Sequence, residues 1–333
     1  MTQQASPDER TSPRGGSVID IHVHMAALPT KANRCLLSKR MLKSPLAKFI
    51  AWQQGLPLDD PETANRLYLE HLDRELSASK TVRQAVLLAM DGVYGANGML
   101  DEARTDFLIS NDCVLDAAEE NPRFLAGVSI NPNRCDYLEE LIRCASRGAS
   151  LVKVLPNAQV FDPADKRHKE FYRTLGKLHL PLLSHVGFEF SLIGQDQSLG
   201  DPQRLRLALE EGVTVIAAHG CSTGLFLVER HFDAMLDLVK RYKNFYMDTS
   251  ALTLPNRVGA LLRLRKHPEV FERLLFGTDY PLPCYAYPAL LASPGAYLHA
   301  RSADNRFDRQ RRTLCALGLP EGKDASQILP RIQ

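Results

Sequence analysis

The sequence has few features of a disulfide-stapled, membrane-spanning or strongly charged protein. Its seven cysteines are odd in number and none stand at CxxC spacing, which argues against a disulfide framework and a structural zinc ribbon. No run of about 18 apolar residues occurs, so we expect no membrane-spanning helix. The 41 Lys+Arg and 39 Asp+Glu residues nearly cancel, so neither nucleic acid nor a membrane surface is an expected partner.

The composition is that of a globular protein, with 44% hydrophobic and 24% charged residues among 333. Residues 1–16 are rich in Ser, Pro, Gln and charge and lack the apolar centre of a secretory signal, so we expect a disordered tail there. Residues 17–333 are expected to form a single domain. The expected location is the cytoplasm.

Short apolar or β-branched runs alternate with longer segments of helical character. From the third run onward the starts are 27 to 32 residues apart, which is the length of a strand, a crossover helix and two loops. Such alternation predicts a parallel sheet, and eight units predict an α/β fold of the (β/α)8 TIM-barrel type. The predicted strands are 17–24, 83–90, 124–130, 151–155, 181–185, 213–219, 245–249 and 273–278, with helices at 166–178, 201–211 and 226–241 between some of them.

Two segments break this regular spacing. Residues 25–81 separate the first two strands and predict a helical insertion, with helices over 31–53 and 63–77. Residues 284–333 follow the last strand and predict a C-terminal extension with a helix near 303–317. Because the loops after barrel strands build the active site, we expect the insertion to lie over the mouth as a lid or substrate cap.

The first predicted strand ends in Asp-Ile-His-Val-His. Side chains alternate along a strand, so Asp20, His22 and His24 are predicted to share the face towards the barrel mouth, and Ile19, Ile21 and Val23 the face towards the helices. Two imidazoles one pleat apart suit a single metal ion, although a His-x-His pair alone is a weak signal.

Four further polar residues strengthen this signal because they also lie on predicted strands or at their carboxyl ends. They are Lys153 on the fourth strand, His185 and His219 after the fifth and sixth, and Asp279 after the eighth. Taken singly, either histidine could be structural, Asp279 could cap a helix and Lys153 could extend to the barrel rim. Their convergence from several strands favours a metal site.

These motifs resemble those of the amidohydrolase superfamily, and more narrowly its amidohydrolase-related branch. The resemblance spans residues 17–283 and is carried by Asp-x-His-x-His, Val-Lys-Val-Leu-Pro, His-Val-Gly, Ala-Ala-His-Gly and Gly-Thr-Asp-Tyr-Pro. It implies one divalent metal, most often Zn²⁺, held by His22, His24, His185 and Asp279, with His219 beside it. In other branches a carboxylated lysine on the fourth strand bridges two metals, so Lys153 is a candidate bridge or substrate contact. Family members are often dimers, which makes a homodimer an expectation here.

The branch contains metal-dependent hydrolases and decarboxylases such as aminocarboxymuconate-semialdehyde decarboxylase. The leading hypothesis is a hydrolase that uses a metal-activated water to cleave an ester, lactone or amide bond in a small organic substrate. In that mechanism Asp279 moves the proton and His219 stabilises the developing oxyanion.

Two alternatives stay open. The first is a metal-dependent, non-oxidative decarboxylase of an unsaturated or aromatic acid. That reaction needs a cation for the carboxylate, for which the insertion offers Arg34, Lys39, Arg40 and Lys43. The second is a metal-binding barrel without catalysis. A dinucleotide enzyme is disfavoured, because no GxGxxG motif follows a predicted strand.

Overall fold

The computed structural model describes residues 18–190, 192, 196–320 and 322–330, so the tail predicted at 1–16 lies outside the described residues. Eight parallel strands are neighbours in chain order. They are β1 (Val18–His24), β2 (Val82–Leu88), β3 (Phe124–Ser129), β4 (Ala149–Val154), β5 (Leu182–Ser184), β6 (Val215–Ala217), β7 (Phe245–Asp248) and β8 (Leu274–Leu275). All eight coincide with predicted strands.

The segment after β8 joins the last strand to the first. Three backbone hydrogen bonds link this segment to β1. Ile21 N donates to Phe276 O (3.0 Å), Asp279 N donates to His22 O (2.9 Å) and His24 N donates to Tyr280 O (2.8 Å). These bonds bring the ends of the sheet together and give a nearly closed barrel. The predicted TIM barrel is confirmed.

An apolar cluster fills the barrel interior, with residues from nearly every strand. Its members are Ile19, Ile21, Val86, Leu88, Leu125, Leu151, Leu183, Ile216, Ala218 and Leu275, completed by Ala325 and Leu329 of the C-terminal extension. The prediction that β1 turns all its apolar residues towards the helices is therefore wrong for Ile19 and Ile21. The pairing of β1 with β2 shifts register between Asp20 and Val23, and such an irregularity breaks the simple alternation of faces.

The insertion between β1 and β2 contains helices Lys39–Leu42, Pro45–Gln53 and Pro61–Ala78. The helix predicted from residue 31 begins only at Lys39. Asn33 Oδ1 accepts hydrogen bonds from the backbone of Thr30 and Cys35, which holds a turn where the helix was expected. Residues Leu36–Leu37 then pair antiparallel with Phe107–Leu108 of the β2–β3 connection.

The helix predicted at 63–77 is confirmed as Pro61–Ala78. Its start is fixed locally, because Asp60 accepts a hydrogen bond from Thr63 N and a proline occupies the first turn. The remaining helices are Asn111–Glu120, Tyr137–Ser146, Pro156–Gln159, Lys169–Lys177, Arg206–Glu210, Phe232–Arg241, Val258–Leu264, Pro294–Arg301 and Arg306–Ala316.

Three further segments differ from the prediction. The helix predicted at 201–211 extends only over Arg206–Glu210, because a 3₁₀ turn, Pro202–Leu205, precedes it. The helix predicted at 226–241 begins only at Phe232, because Glu229 accepts hydrogen bonds from Ser222 and Thr223 and keeps the preceding residues in a loop. In the C-terminal extension, Arg306–Ala316 matches the predicted helix and Pro294–Arg301 is an additional one. Within the described residues, every helix is too short or too polar to cross a bilayer.

Candidate active site

Three of the predicted metal ligands meet at the carboxyl end of the barrel. Asp279 Oδ1 lies 3.1 Å from His24 Nε2 and 3.4 Å from His22 Nε2. The ligand atoms of these three residues all lie within 4.8 Å of one another. Imidazole nitrogens with a carboxylate oxygen form a donor set that Zn²⁺ accepts.

The segment that carries Asp279 is fixed by Asp20, the first residue of the Asp-x-His-x-His motif. Asp20 Oδ2 accepts a 2.6 Å hydrogen bond from Thr278 Oγ1, and Asp20 Oδ1 accepts bonds from Thr278 N and His22 N. Asp279 itself has a φ of +68°, an uncommon conformation for a residue with a side chain. Asp20 therefore joins β1 to the segment after β8 and places the Asp279 carboxylate beside the histidines.

His22 is oriented from behind by Asp248, at the end of β7. The buried Asp248 Oδ2 accepts a 2.7 Å hydrogen bond from His22 Nδ1, which leaves Nε2 as the unprotonated nitrogen facing Asp279. Lys153 Nζ lies 3.1 Å from the same Nε2 and donates to it. Burial lowers the pKa of Lys153 to about 8, and burial together with Lys153 lowers the pKa of His22.

A second hydrogen-bond chain runs from Asp248 to His185. The Ser250 hydroxyl donates to Asp248 Oδ1 and accepts from His219 Nδ1 at 2.8 Å. His219 Nε2 is then the acceptor for His185 Nδ1, 3.2 Å away. This direction leaves His185 Nε2 unprotonated, and that buried nitrogen has no hydrogen-bond partner among the described atoms.

The unpartnered His185 Nε2 and the donor atoms of His22, His24 and Asp279 together fit a divalent cation. A buried polar atom without a partner is costly, and a metal ion would satisfy it. His185 lies outside the tight cluster of the other three ligand atoms but lines the same pocket as His24 and Asp279. Lys153 is buried and contacts His22; its roles as a metal bridge or a substrate contact stay predictions.

Burial sets the protonation states around this pocket. Burial, followed by the positive charge of Arg257, holds the pKa values of His185 and His219 well below the usual histidine value, so both rings are neutral near pH 7. Burial opposes ionisation of Asp279, but His22, His24 and Lys153 together outweigh it and hold the pKa of Asp279 below its usual value. The site thus presents the neutral rings of His185 and His219 beside the ionised carboxylate of Asp279.

The site opens into a cavity of about 220 Å³ beneath the insertion. His24, His185, His219 and Asp279 line its polar end, together with Glu189 and Arg257. We call the first four the polar floor. Arg257 is buried and its guanidinium donates to Ser222 O and Phe188 O.

The cations proposed from the sequence for a substrate carboxylate do not reach this cavity. Arg34, Lys39, Arg40 and Lys43 are exposed and outside its lining, and Arg40 instead pairs with Asp106. Among the residues that the structure describes, Arg257 is the one Lys or Arg that lines the cavity.

Sequence reasoning missed Asp248, Ser250 and Arg257. Asp248 ends a correctly predicted strand, so the rule that selected the other strand ends would also have found it. Arg257 ends a short turn, Pro255–Arg257, in the connection between β7 and helix Val258–Leu264, and no local pattern marks it.

The barrel is shared with several solved structures. An uncharacterised TIM-barrel protein from Bordetella bronchiseptica is 17% identical, with 91% of this chain and 99% of that chain covered and a TM-score of 0.59. A probable 2-pyrone-4,6-dicarboxylic acid hydrolase from Acinetobacter baumannii, with citric acid bound, is 15% identical, with 94% and 99% covered and a TM-score of 0.53. A putative 2-pyrone-4,6-dicarboxylic acid hydrolase from Pseudomonas putida is 17% identical, with 90% and 98% covered and a TM-score of 0.50. At these identities the likeness shows the fold alone.

No curated protein matches the chain significantly. The family model described as Amidohydrolase matches residues 19–292, which include β1 and its histidines, the ends of β4 to β7 and Asp279. This chain therefore belongs to the amidohydrolase family of metal-dependent enzymes.

Proposed function

We propose that this protein is a metal-dependent hydrolase that cleaves an ester, lactone or amide bond in a small organic substrate. The observation that carries the proposal is the position of the Asp279 carboxylate. One oxygen faces His22 and His24, and the other lies 4.0 Å from His219 Nδ1 at the bottom of an open cavity. A buried, ionised carboxylate at that point suits proton transfer between an attacking water and a leaving group.

The ligands proposed for the divalent ion are His22, His24, His185 and Asp279, with Zn²⁺ as its expected identity. When bound, such an ion supplies Lewis-acid polarisation of a carbonyl and lowers the pKa of water. Asp279 then accepts a proton from the water and returns it to the leaving group. Asp248 holds His22 in the tautomer whose Nε2 faces the site.

His219 and Arg257 provide the polar contacts of the substrate side. The proposed donor role of His219 in oxyanion stabilisation requires its Nδ1 proton, which Ser250 accepts in this structure. A bound substrate would have to replace Ser250 as the acceptor of the hydrogen bond from His219 Nδ1. Arg257 lines the same cavity and offers a second, cationic donor to developing negative charge.

The replacement Asp279→Asn tests the proposal. We expect hydrolysis of a responsive ester, lactone or amide to fall by about 10²- to 10⁴-fold, because an amide cannot carry the proton. The folded structure, followed by circular dichroism and melting temperature, should persist. Asp59→Asn, at an exposed acidic residue of the insertion, is the matched control. Near-full activity of Asp279→Asn would contradict the proposed role.

One observation keeps decarboxylation as a second candidate. Arg257 gives the cavity a buried cation that can hold a substrate carboxylate, as release of carbon dioxide from an unsaturated or aromatic acid requires. Incubation with such acids, with carbon dioxide measured directly, separates the two reactions. Carbon dioxide release without hydrolysis of any ester, lactone or amide would favour the decarboxylase.

Nuclearity and assembly complete the proposal. We expect one metal per chain, because Lys153 Nζ faces His22 Nε2 and a bridging role would require its carboxylation. Two ions per chain, lost in Lys153→Met, would show a bridged site. The expected homodimer is testable by sedimentation velocity.

A further inference from the structure

The insertion contributes a wall of unusual composition to the cavity. Every insertion residue that lines it is apolar except Asn65. We call the side chains of Leu37, Met41, Leu46, Ala47 and Ile50 the apolar wall; all five are half-buried. Half-buried apolar surface inside a cavity is surface that a ligand can remove from water.

The one polar insertion residue in the lining already has its hydrogen bonds. Asn65 Oδ1 accepts from Leu28 N at 2.6 Å, and Asn65 Nδ2 donates to Leu28 O at 2.9 Å. Its amide therefore fixes the backbone of the insertion. A polar or charged group placed against this part of the cavity would lose its hydration without compensation, which is costly.

The orientation of helix Pro45–Gln53 explains why charge is absent from the wall. Leu46, Ala47 and Ile50 recur at helical spacing and line the cavity, whereas Lys48 and Trp52 are exposed and lie outside the lining. The one charged residue of this helix, Lys48, thus faces solvent, and the apolar face of the helix is turned towards the site.

The polar and apolar parts of the cavity together define a ligand. Its polar end carries the polar floor, Glu189 and, among the lining residues that the structure describes, a single cation, Arg257. The other end carries the apolar wall and opens past Leu42 and Leu58, which are 38% and 44% exposed. Such a cavity matches a molecule with one polar end and an extended apolar body.

Building on the hydrolase function proposed above, we propose that the substrate is a hydrophobic monoacyl compound. Its ester, lactone or amide group lies on the polar floor and its alkyl or aryl chain lies along the apolar wall. A dicarboxylate of similar length does not fit, because its second charge would meet the wall without a cationic partner.

A series of straight-chain p-nitrophenyl esters, from acetate to decanoate, tests the proposal on the metal-loaded protein. We expect kcat/KM to rise by about fourfold for each methylene buried, which is the factor that corresponds to 0.8 kcal/mol, until the chain passes the mouth. A kcat/KM that is flat from acetate to decanoate would overturn the proposal.

Binding without turnover separates this inference from the proposed reaction. Thermal stabilisation is measured with hexanoate, octanoate and decanoate and with decanedioate. We expect stabilisation to increase with chain length and decanedioate to bind at least tenfold more weakly than decanoate. This result without hydrolysis of any ester would overturn the hydrolase and retain the apolar-substrate inference. Ester hydrolysis that does not depend on chain length would retain the hydrolase and overturn the apolar-substrate inference.

Two matched variants locate the chain. Ala47→Phe places a ring in the cavity, and we expect it to lower the ratio of decanoate to acetate hydrolysis by at least tenfold. Gln53→Phe places the same ring on the exposed side of the same helix and should leave that ratio unchanged. If Ala47→Phe fails to fold, Ile50→Asn tests the same wall by polarity instead of bulk. An unchanged ratio in the folded cavity variant would place the chain elsewhere and overturn the proposal.

Discussion

The polar floor and the apolar wall face the same cavity but are held in different ways. The floor comes from strand ends. Its His219 is oriented by a buried hydrogen bond to Ser250, and the adjoining His22 by one to Asp248. The wall comes from the insertion. Its five residues are half-buried and present apolar surface to the cavity. Floor geometry is therefore sensitive to single polar atoms, whereas wall residues act mainly through volume and hydrophobicity.

The largest expected effect in this comparison comes from Asp248→Asn. Both carboxylate oxygens of Asp248 accept hydrogen bonds, whereas an asparagine amide has only one oxygen. One of the contacts with His22 Nδ1, Ser250 or His219 N must therefore be lost. We expect metal affinity to fall about 10- to 100-fold, as it does when an outer-shell partner is removed. Competition with a fluorescent zinc chelator measures it. Ser250→Ala removes one member of the hydrogen-bond chain from Asp248 to His185 and should have a smaller effect. Equal metal affinity in wild type and Asp248→Asn would contradict the proposed orientation of His22 by Asp248.

A medium effect is expected where the insertion is anchored. Asp308 accepts hydrogen bonds from Ser79 Oγ (2.8 Å), Lys80 N (3.0 Å) and Thr81 Oγ1 (2.8 Å), which joins the C-terminal extension to the end of helix Pro61–Ala78. We expect Asp308→Asn to lower the free energy of unfolding by about 2 kcal/mol and to leave metal content unchanged. Urea denaturation measures the first quantity, with the exposed Asp304→Asn as control.

The same residue gives a pH dependence with a definite sign. Although burial opposes it, the hydrogen bonds from Lys80, Ser79 and Thr81 hold the pKa of Asp308 below its usual value. Its stabilising contribution is therefore complete above the unfolded pKa of about 4 and is lost as the pH falls through the folded value. The difference between wild type and Asp308→Asn should narrow below about pH 4. A constant difference from pH 7 to pH 3 would show that the charge of Asp308 does not matter.

The smallest effect is expected at Trp52. Its side chain lies outside the cavity lining and the residue is 77% exposed. Trp52→Ala should change the free energy of unfolding by no more than about 0.5 kcal/mol and should leave the preference for long acyl chains intact. Loss of that preference in Trp52→Ala would show that the acyl chain binds to the outer face of helix Pro45–Gln53 and not to the face that lines the cavity.

The sequence was informative where function depends on local pattern. Eight strands follow from apolar runs at regular spacing. The residues at their ends include His24, His185 and Asp279, which the structure places around one cavity, and His22, whose Nε2 lies 3.4 Å from Asp279. The roles of these residues remain predictions. Asp248 was within reach of the same rule, because it also ends a strand.

What could not be predicted depends on tertiary context. The register shift between Asp20 and Val23 of β1 is set by pairing with β2, and the turn that delays the insertion helix is set by the Asn33 side chain. The place of Arg257 in the cavity follows from the path of a long connection. None of these features leaves a periodic signal in the sequence.

Metal content tests the central claim most directly. Elemental analysis would compare the wild type with the His22→Ala/His24→Ala double variant, and His299→Ala, at an exposed residue, is the control. We expect about one divalent ion, zinc or a similar metal, per chain in the wild type and the control, and almost none in a folded double variant. A wild type that holds no metal even after reconstitution, or a double variant that retains it, would contradict the assignment of His22, His24, His185 and Asp279 as a metal centre.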